Sequence, residues 1–358
     1  MEAALKKYKD LVDGGYDEKF DIYAGYVEEQ VPYQIDAFVS EKGNDYFKCK
    51  EYTKLNCCKD CNYATCAIDC VKGDDCKSGY GYRDITCPKD LKDSNEPGTG
   101  PPVPNTTWIM QDEDRFFKDI FDDYGIEKGW IKFGTVRVNT PNGCQYAGED
   151  VLDCIDKRSN KFFNFPIKDK VEVFDPKDII GDGYDESEDL VLRLKIMQAN
   201  MEYDFGLSAL DLVDSSSIPT FTMDEAVKSM DKIVKKAEEI KEAQRKEFIL
   251  NFISGLLFFI PFIGGAIGGV GMGSLRSILS LIGTVGEAGL LVYGIIEDPD
   301  SAFMAVFGAL AGAAVGRSGF RSAASARRGM SSKELDSLGS IKGSLDKINS
   351  LRGSSCAI

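Results

Sequence analysis

The fold of this chain is constrained most by a long apolar stretch, residues 248–316, in a sequence that is otherwise polar and acidic. The first 28 residues of the stretch, 248–275, contain no charged side chain. As one helix they would extend about 42 Å, which exceeds the roughly 30 Å hydrocarbon core of a bilayer. The chain of 358 residues nevertheless carries a formal net charge of −15. The stretch is therefore either the core of a helical domain or a segment able to enter a membrane.

Helix-breaking residues divide the stretch into two or three helices. Pro261 interrupts it, and residues 297–300, Glu-Asp-Pro-Asp, predict a turn. Gly264 and Gly268 have the four-residue spacing that is typical of closely packed membrane helices. The pattern predicts a hydrophobic helical hairpin marked by Phe248, Phe252, Leu256, Phe259, Pro261, Gly264, Gly268, Leu279, Leu290, Phe303 and Phe307.

Three interpretations of this hairpin stay open. A hairpin that is stored in a soluble fold and inserts later would explain apolar helices in an acidic chain. A plain buried core would explain them equally well. Permanent membrane spans are less favoured, because Arg276 and Glu287 interrupt the run after residue 275.

An amphipathic helix is predicted over residues 222–247, directly before the stretch. Thr222 and Glu225 have the spacing of a capping box. Asp231 and Lys235 form one of several i,i+4 ion pairs on its polar side. Its apolar stripe consists of Met223, Ala226, Val227, Met230, Ile233, Ala237 and Ile240.

The residues after the stretch form the basic part of the sequence. From residue 317 to the end there are eight basic and three acidic side chains. Arg317, Arg321, Arg327 and Arg328 come first, in the place where basic residues flank a membrane span. We expect this tail to flank the hairpin.

Composition argues against several classes of function. The sequence contains no histidine, so no Ser/His or Cys/His nucleophile pair exists, and the commonest zinc ligand is missing. Nucleic-acid binding requires a basic footprint, which an acidic chain lacks. We expect no cofactor, no metal and no nucleic-acid partner. Any acid-triggered change would act through protonation of the 58 carboxylates.

Eleven cysteines indicate disulfide bonds and hence an oxidising compartment. Eight of them lie within 39 residues, where Cys58 and Cys61 also have the spacing of zinc ligands. Adjacent Cys57 and Cys58, and the lack of a second such pair, favour disulfides over zinc. Outside this cluster, Cys144 and Cys154 are expected to pair. The cysteines predicted to form disulfides are Cys49, Cys57, Cys58, Cys61, Cys66, Cys70, Cys76, Cys87, Cys144 and Cys154.

Two further features concern secretion. Asn105 begins an Asn-Thr-Thr sequon, which is a glycosylation site in a secreted chain. The N-terminal residues are charged and amphipathic and lack the apolar region of a signal peptide. We therefore expect part of a longer precursor that is secreted, extracellular or associated with the cell wall.

The sequence predicts an α+β fold that is mainly α. Within it, residues 112–124 have the periodicity of an amphipathic helix and residues 130–138 the composition of a strand. The expected parts are N-terminal helices at 1–46, a disulfide-stapled cysteine-rich module at 47–92, a proline-rich linker at 93–107, a mixed α+β domain at 108–214, and a helical bundle at 215–358 around the hairpin and basic tail.

Carboxylates of the mixed domain are the candidates for an enzymatic function. Residues 182–189 approach the acidic signature of family 18 glycoside hydrolases, but Ser187 and Asp189 stand where it requires Asp and Glu. The segment reads better as the start of a helix, capped by Ser187. No catalytic residue is assigned. The alternative is a glycan hydrolase using a pair among Asp112, Glu113, Asp114, Glu149 and Asp150.

Five segments point to a known family. They are NGCQYAGEDVLDC at 142–154, VFDPKDIIGDGYDESEDLVLRL at 173–194, KEFILNFISGLLFFIPFIGGA at 246–266, GLLVYGIIEDPDSAFMAVFGALAG at 289–312 and RSAASARRGMSSKELDSLGS at 321–340. Together they resemble the C-terminal region of fungal killer-toxin-like chitinases. These are family 18 glycoside hydrolases related to the chitinase subunit precursor of yeast killer toxins.

The resemblance implies a non-catalytic region, because the family's hydrolase domain with its DxxDxDxE motif is absent from this sequence. It implies as partners a chitinase catalytic domain in the parent precursor, target membrane lipid and a disulfide-linked toxin subunit. Cys356, the odd cysteine, is the candidate for that intermolecular disulfide.

The leading hypothesis is a module of a secreted, toxin-like chitinase that inserts into or permeabilises a target membrane. It would help the toxin to cross that membrane after the protein has bound chitin in the cell wall. The alternatives are a chitinase-type hydrolase and a module that docks on, or inhibits, the hydrolase domain.

Overall fold

The computed structural model describes residues 1–54, 56–57, 70–71, 80–91, 105–138, 160–181, 184–199, 208–245, 317–329, 332, 335 and 340–355. Within them the chain is mostly helical with one mixed sheet, which confirms an α+β fold that is mainly α. The predicted hairpin lies outside the described residues. The chain divides into a helical unit, Met1–Tyr26 with Val173–Ile358, and a sheet unit, Val27–Glu172.

Two helices open the chain, as predicted for its first 46 residues. Helix α1 (Glu2–Asp13) buries Leu5 and Tyr8, and α2 (Tyr16–Tyr46) follows after two glycines. Gly15 has a φ of 78°, a left-handed conformation that glycine adopts without strain. The Gly14-Gly15 pair therefore separates the two helices.

The sheet unit contains a five-stranded sheet in the order β4-β1-β5-β7-β6. Strands β5 and β7 pair in parallel, and the other neighbours are antiparallel. Two short strands, β2 and β3, form a separate parallel pair. The strands are β1 (Phe47–Lys54), β2 (Asn56–Cys57), β3 (Cys70–Val71), β4 (Tyr80–Ile85), β5 (Asn105–Met110), β6 (Ile131–Val138) and β7 (Asn160–Lys168).

Helix α3 (Glu113–Tyr124) confirms the helix predicted in this region. Asp112 caps it, because its carboxylate accepts a hydrogen bond from the backbone N–H of Arg115 at 3.2 Å. Gly125, with a φ of 68°, ends it in the left-handed conformation. The strand predicted after α3 is also confirmed, as β6.

The core of the sheet unit is a cluster of aromatic rings around Phe116, which is fully buried. The centroid of the Phe116 ring lies 5.7 Å from that of Phe38, 5.6 Å from Tyr46 and 5.3 Å from Phe47. Offset and edge-on rings at such distances attract one another beyond their buried area. The cluster joins α2, β1 and α3.

The described helical unit adds five helices to α1 and the first turns of α2. They are α4 (Asp178–Gly181), α5 (Tyr184–Ala199), α6 (Ala209–Arg245), α7 (Arg317–Arg328) and α8 (Ser340–Ser355). The helix predicted near residue 187 is present, but α5 begins at Tyr184 and Ser187 is buried inside it. Ser187 is therefore not its cap.

Helix α6 confirms the predicted apolar stripe and corrects the predicted start. All seven stripe residues, from Met223 to Ile240, are buried. The capping-box prediction is wrong, because the helix begins at Ala209 and continues through Pro219. The hydroxyl of Thr222 donates to the carbonyl oxygen of Ile218 at 3.0 Å, which is a bond within a helix rather than a cap.

Candidate functional site

The two helices that border the apolar segment, residues 248–316, pack against each other. Helix α6 ends at Arg245 and α7 begins at Arg317, and we call them the bracket helices. Arg328, at the end of α7, pairs with Asp211, at the start of α6. The bracket helices therefore run antiparallel. Among the described side chains of α7, those of Phe320, Ala323, Ala324 and Arg327 are buried.

Arg327 joins three helices through a buried guanidinium group. Its side chain is 5% exposed and that of Asp214, on α6, is 0% exposed; Nε lies 4.0 Å from Oδ1 of Asp214. Nη1 donates to Oδ1 of Asn349, on α8, at 2.9 Å. Nη2 donates to the carbonyl oxygen of Leu345 at 3.3 Å. A buried charge of this kind requires its partners, because an unpaired ion in the interior costs several kcal/mol.

Arg328 provides a second and more accessible link between the bracket helices. Its Nη2 donates to Oδ1 of Asp211 at 2.6 Å, and Nη1 lies 3.4 Å from Oδ2 of Asp214. Burial raises the pKa of Asp211, but hydrogen bonds from Arg328 and Ser208 outweigh it, so the pKa is lowered overall. The Asp211 carboxylate therefore stays ionised at neutral and mildly acidic pH.

Helix α8 packs on the bracket helices through apolar contacts as well. Ile218 of α6 forms a buried cluster with Ile341 and Leu345 of α8, and Phe221 and Leu335 pack against it. Burial of such side chains stabilises by about 1.5–3 kcal/mol each. The C-terminal helix is therefore part of the same assembly.

Ion pairs attach the C-terminal half of α6 to the start of the chain. Lys7 of α1 pairs with Asp231 at 3.1 Å. Glu18 of α2 pairs with Lys241 at 2.6 Å, and Lys19 pairs with Glu238. Exposed pairs of this kind contribute less than about 1 kcal/mol each. They connect α6 to α1 and α2 and add little to the free energy of unfolding.

A half-buried carboxylate lies close to the junction of α1 and α2. Asp175 accepts hydrogen bonds from the Tyr16 hydroxyl at 2.8 Å and from the backbone N–H of Lys177 at 2.8 Å. Burial raises the pKa of Asp175, and burial together with Asp175 raises the pKa of Tyr16. The two side chains fasten the start of α2 to the segment before α4.

We expect the free energy of unfolding of the helical unit to change little from neutral pH to about pH 5 and to fall below about pH 4. Lys235 and Lys7 lower the pKa of Asp231, as Arg328 lowers that of Asp211. Stability from a lowered pKa is present above the ordinary carboxyl pKa and is lost as pH falls through the folded value. Asp175 acts in the opposite direction, because its raised pKa lets the folded state take up a proton at a higher pH than the unfolded state does, which stabilises the fold as pH falls.

Denaturant unfolding followed by circular dichroism, at neutral pH and at about pH 5 and 3, measures this profile. Asp211→Asn should reduce the loss of unfolding free energy between about pH 5 and 3. Asp346→Asn removes an exposed carboxylate of α8 that pairs with Lys342, and it should leave this loss unchanged. A steep loss of stability between neutral pH and pH 5 would contradict the expectation and would indicate a trigger at mild acidity.

The three candidate catalytic carboxylates that the structure describes, Asp112, Glu113 and Asp114, do not form a pair in a cleft. Asp112 caps α3, Glu113 pairs with Lys128 at 2.8 Å, and Asp114 is exposed. Glu149 and Asp150 lie outside the described residues. A cavity of about 520 Å³ in the sheet unit is lined by the middle of α2, residues 88–91 and parts of β6 and β7. Asp112, Glu113 and Asp114 do not line it.

The cysteines and the sequon are only partly described. Cys49 of β1 and Cys87 form a disulfide that is buried in the sheet unit. The strands β2 and β3 contain Cys57 and Cys70, and the side chains of these two residues lie outside the described part. Asn105 begins β5, where its side-chain oxygen accepts a hydrogen bond from the backbone N–H of Lys161 at 3.2 Å. The remaining predicted disulfide cysteines and Cys356 lie outside the described residues, namely Cys58, Cys61, Cys66, Cys76, Cys144, Cys154 and Cys356.

The hairpin markers also lie outside the described residues, so the structure gives no geometry for them. Among the helices that it does describe, none is both long and apolar enough to cross a membrane. The described part likewise contains no group of three or more cysteine or acidic side chains placed to hold a metal ion.

The role of Arg327 was not predicted from the sequence, which places this residue only in the basic flank of the apolar segment. Positions 320, 323, 324 and 327 share one side of a helix, so a signal was present in the sequence. Arginine on the apolar side of a helix indicates a buried partner, and here that partner is Asp214.

Comparison with known proteins identifies the family. Residues 176–357 match the family described as LysM11, C-terminal domain, and residues 25–170 match the one described as LysM11 alpha/beta domain. The chain belongs to the LysM11 C-terminal domain family. These matches confirm the resemblance to the killer-toxin-like, chitinase-related region.

A relative in Penicillium expansum carries the name "Probable chitinase LysM11". It is 27% identical to this chain over 330 residues, which cover 86% of this chain and 26% of the relative. The chain thus spans about a quarter of the length of the LysM11 relative. No solved structure matches this chain.

Proposed function

We propose that this chain is a non-catalytic, membrane-active region of a secreted chitinase-like toxin. After the toxin has bound the cell wall, the apolar segment would enter the target membrane and help a toxin subunit to cross it. The chitinase catalytic domain of the parent precursor would be a partner in cis, and Cys356 would join the toxin subunit. The sequence match to a chitinase-named relative supports the chitinase association.

The observation that carries the proposal is the bracket. The helices on both sides of the apolar segment are packed together by a buried stripe and by Arg327 and Arg328. A fixed bracket keeps the two ends of the apolar segment, residues 248–316, attached to a folded unit. Release of either helix would free the segment to move into lipid without unfolding the sheet unit.

We expect the full chain to release a trapped dye from liposomes, and Leu256→Asp to reduce this release about a hundredfold. An acidic residue near the middle of a membrane helix costs about 2.5–3.5 kcal/mol, which gives that ratio. Leu192→Asp is the matched control, because Leu192 of α5 is 57% exposed and lies outside the segment.

The same preparations should show equal helix content by circular dichroism. The membrane role fails if the unmodified chain releases no dye from any vesicle composition. It fails equally if Leu256→Asp releases dye as fast as Leu192→Asp does.

A further inference from the structure

The geometry points to helix α7 as a binding surface for anionic phospholipid headgroups, with Asp211 holding Arg328 until a lipid phosphate replaces it. This inference rests on the membrane role proposed above and names the chemistry of the partner. The surface consists of Arg321 and Arg328, and its competitor within the chain is Asp211.

The charge of α7 differs from that of the chain as a whole. The chain carries a net charge of −15, whereas the sequence of α7 has four arginines and no acidic residue. Phe320, Ala323 and Ala324 lie on its buried side, and Arg321 is exposed. The side of α7 that is not packed against α6 therefore presents a basic side chain, Arg321, which attracts anionic headgroups.

Arg328 is suited to an exchange of partners, and Arg327 is not. The Arg328 side chain is 36% exposed and bound to carboxylates through Nη1 and Nη2, while that of Arg327 is 5% exposed. A phosphate group can accept hydrogen bonds from both of these guanidinium nitrogens. Exchange of Asp211 for phosphate therefore replaces one anion by another and leaves no cation unpaired.

The position of α7 in the chain favours lipid over other anions. Its first residue, Arg317, directly follows the apolar segment. Basic residues next to a membrane-entering segment are drawn to anionic headgroups by roughly 1 kcal/mol each, which is about fivefold in affinity. The membrane that receives the segment thus presents its headgroups to α7.

The test is sedimentation of the full chain with phosphatidylcholine vesicles, prepared with and without phosphatidylserine. The unmodified chain should bind the anionic vesicles more tightly, and added salt should weaken the binding. Arg321→Gln should weaken it about fivefold. Lys342→Gln, which removes one positive charge from α8, is the matched control and should have little effect.

Asp211→Asn and Arg328→Gln separate a lipid contact from a structural role. Both remove the same ion pair, so a purely structural effect would move binding in one direction. We expect Asp211→Asn to strengthen binding to the anionic vesicles, because Arg328 is released, and Arg328→Gln to weaken it. Weaker binding in both variants would overturn the inference, as would equal binding of the unmodified chain to neutral and anionic vesicles.

The lipid inference and the proposed function can fail independently. Dye release that needs no anionic lipid and is unchanged in Arg321→Gln would leave the membrane role intact and reject the lipid surface. Binding to anionic vesicles that changes in the variants as predicted, with no dye release from any vesicle, would support the lipid surface and reject membrane entry.

Discussion

Replacement of Arg327 by methionine is expected to lower the free energy of unfolding of the helical unit by about 3–5 kcal/mol. The substitution removes the guanidinium group 4.0 Å from the buried Asp214, which then keeps Arg328, 3.4 Å away, as a cation. It also removes the hydrogen bonds to Asn349 and to the Leu345 carbonyl oxygen. The apolar volume of methionine is close to that of the arginine stem, so the loss reports charge and hydrogen bonding rather than a cavity.

Two further variants give this prediction its controls. Arg321→Met makes the same change on the exposed side of the same helix and should cost less than about 0.5 kcal/mol. The double variant Arg327→Met with Asp214→Leu removes both buried charges and should recover much of the loss. Denaturant unfolding followed at the helical signal measures all three. Equal midpoints for Arg327→Met and Arg321→Met would show that Arg327 does not join the helices.

Phe116→Ala is expected to destabilise the sheet unit by about 3–5 kcal/mol. The Phe116 ring is 0% exposed and packs against rings from three elements, including Phe38 of α2 and Phe47 of β1. Its removal loses the buried apolar area and leaves a cavity that the surrounding aromatic rings fill poorly.

Tyr33→Ala is the control for this second prediction, because Tyr33 lies on α2 and is 64% exposed. It should change stability by less than about 0.5 kcal/mol. Near-ultraviolet circular dichroism of the aromatic core reports unfolding of this unit. A loss below about 1 kcal/mol for Phe116→Ala would mean that this cluster is not the core.

Local patterns in the sequence are sufficient for several elements. The amphipathic period of residues 112–124 predicts α3 to within one residue. The stripe from Met223 to Ile240 correctly gives the buried side of α6. These predictions succeed because their signals lie within a few residues of the elements that they describe.

Other features depend on contacts that are distant in sequence. The sequence predicts the start of α6 too late because Thr222 and Glu225 have the spacing of a capping box, whereas burial of Leu212 and Ile218 extends the helix backward. Strand β1 lies between β4 and β5, and its pairing with each is set by backbone hydrogen bonds across long connections. Neither neighbour of β1 can be read from its composition.

The sequence by itself determined the apolar segment, the acidic character of the rest, the absence of histidine chemistry and the family resemblance. The reason is that all four depend on residue types and their local order. Only the tertiary structure decided that two of the arginines after the segment are held by Asp211 and Asp214. The burial of a charged side chain depends on which helix packs against it, and here α6 brings its carboxylates to α7 across more than one hundred residues of sequence.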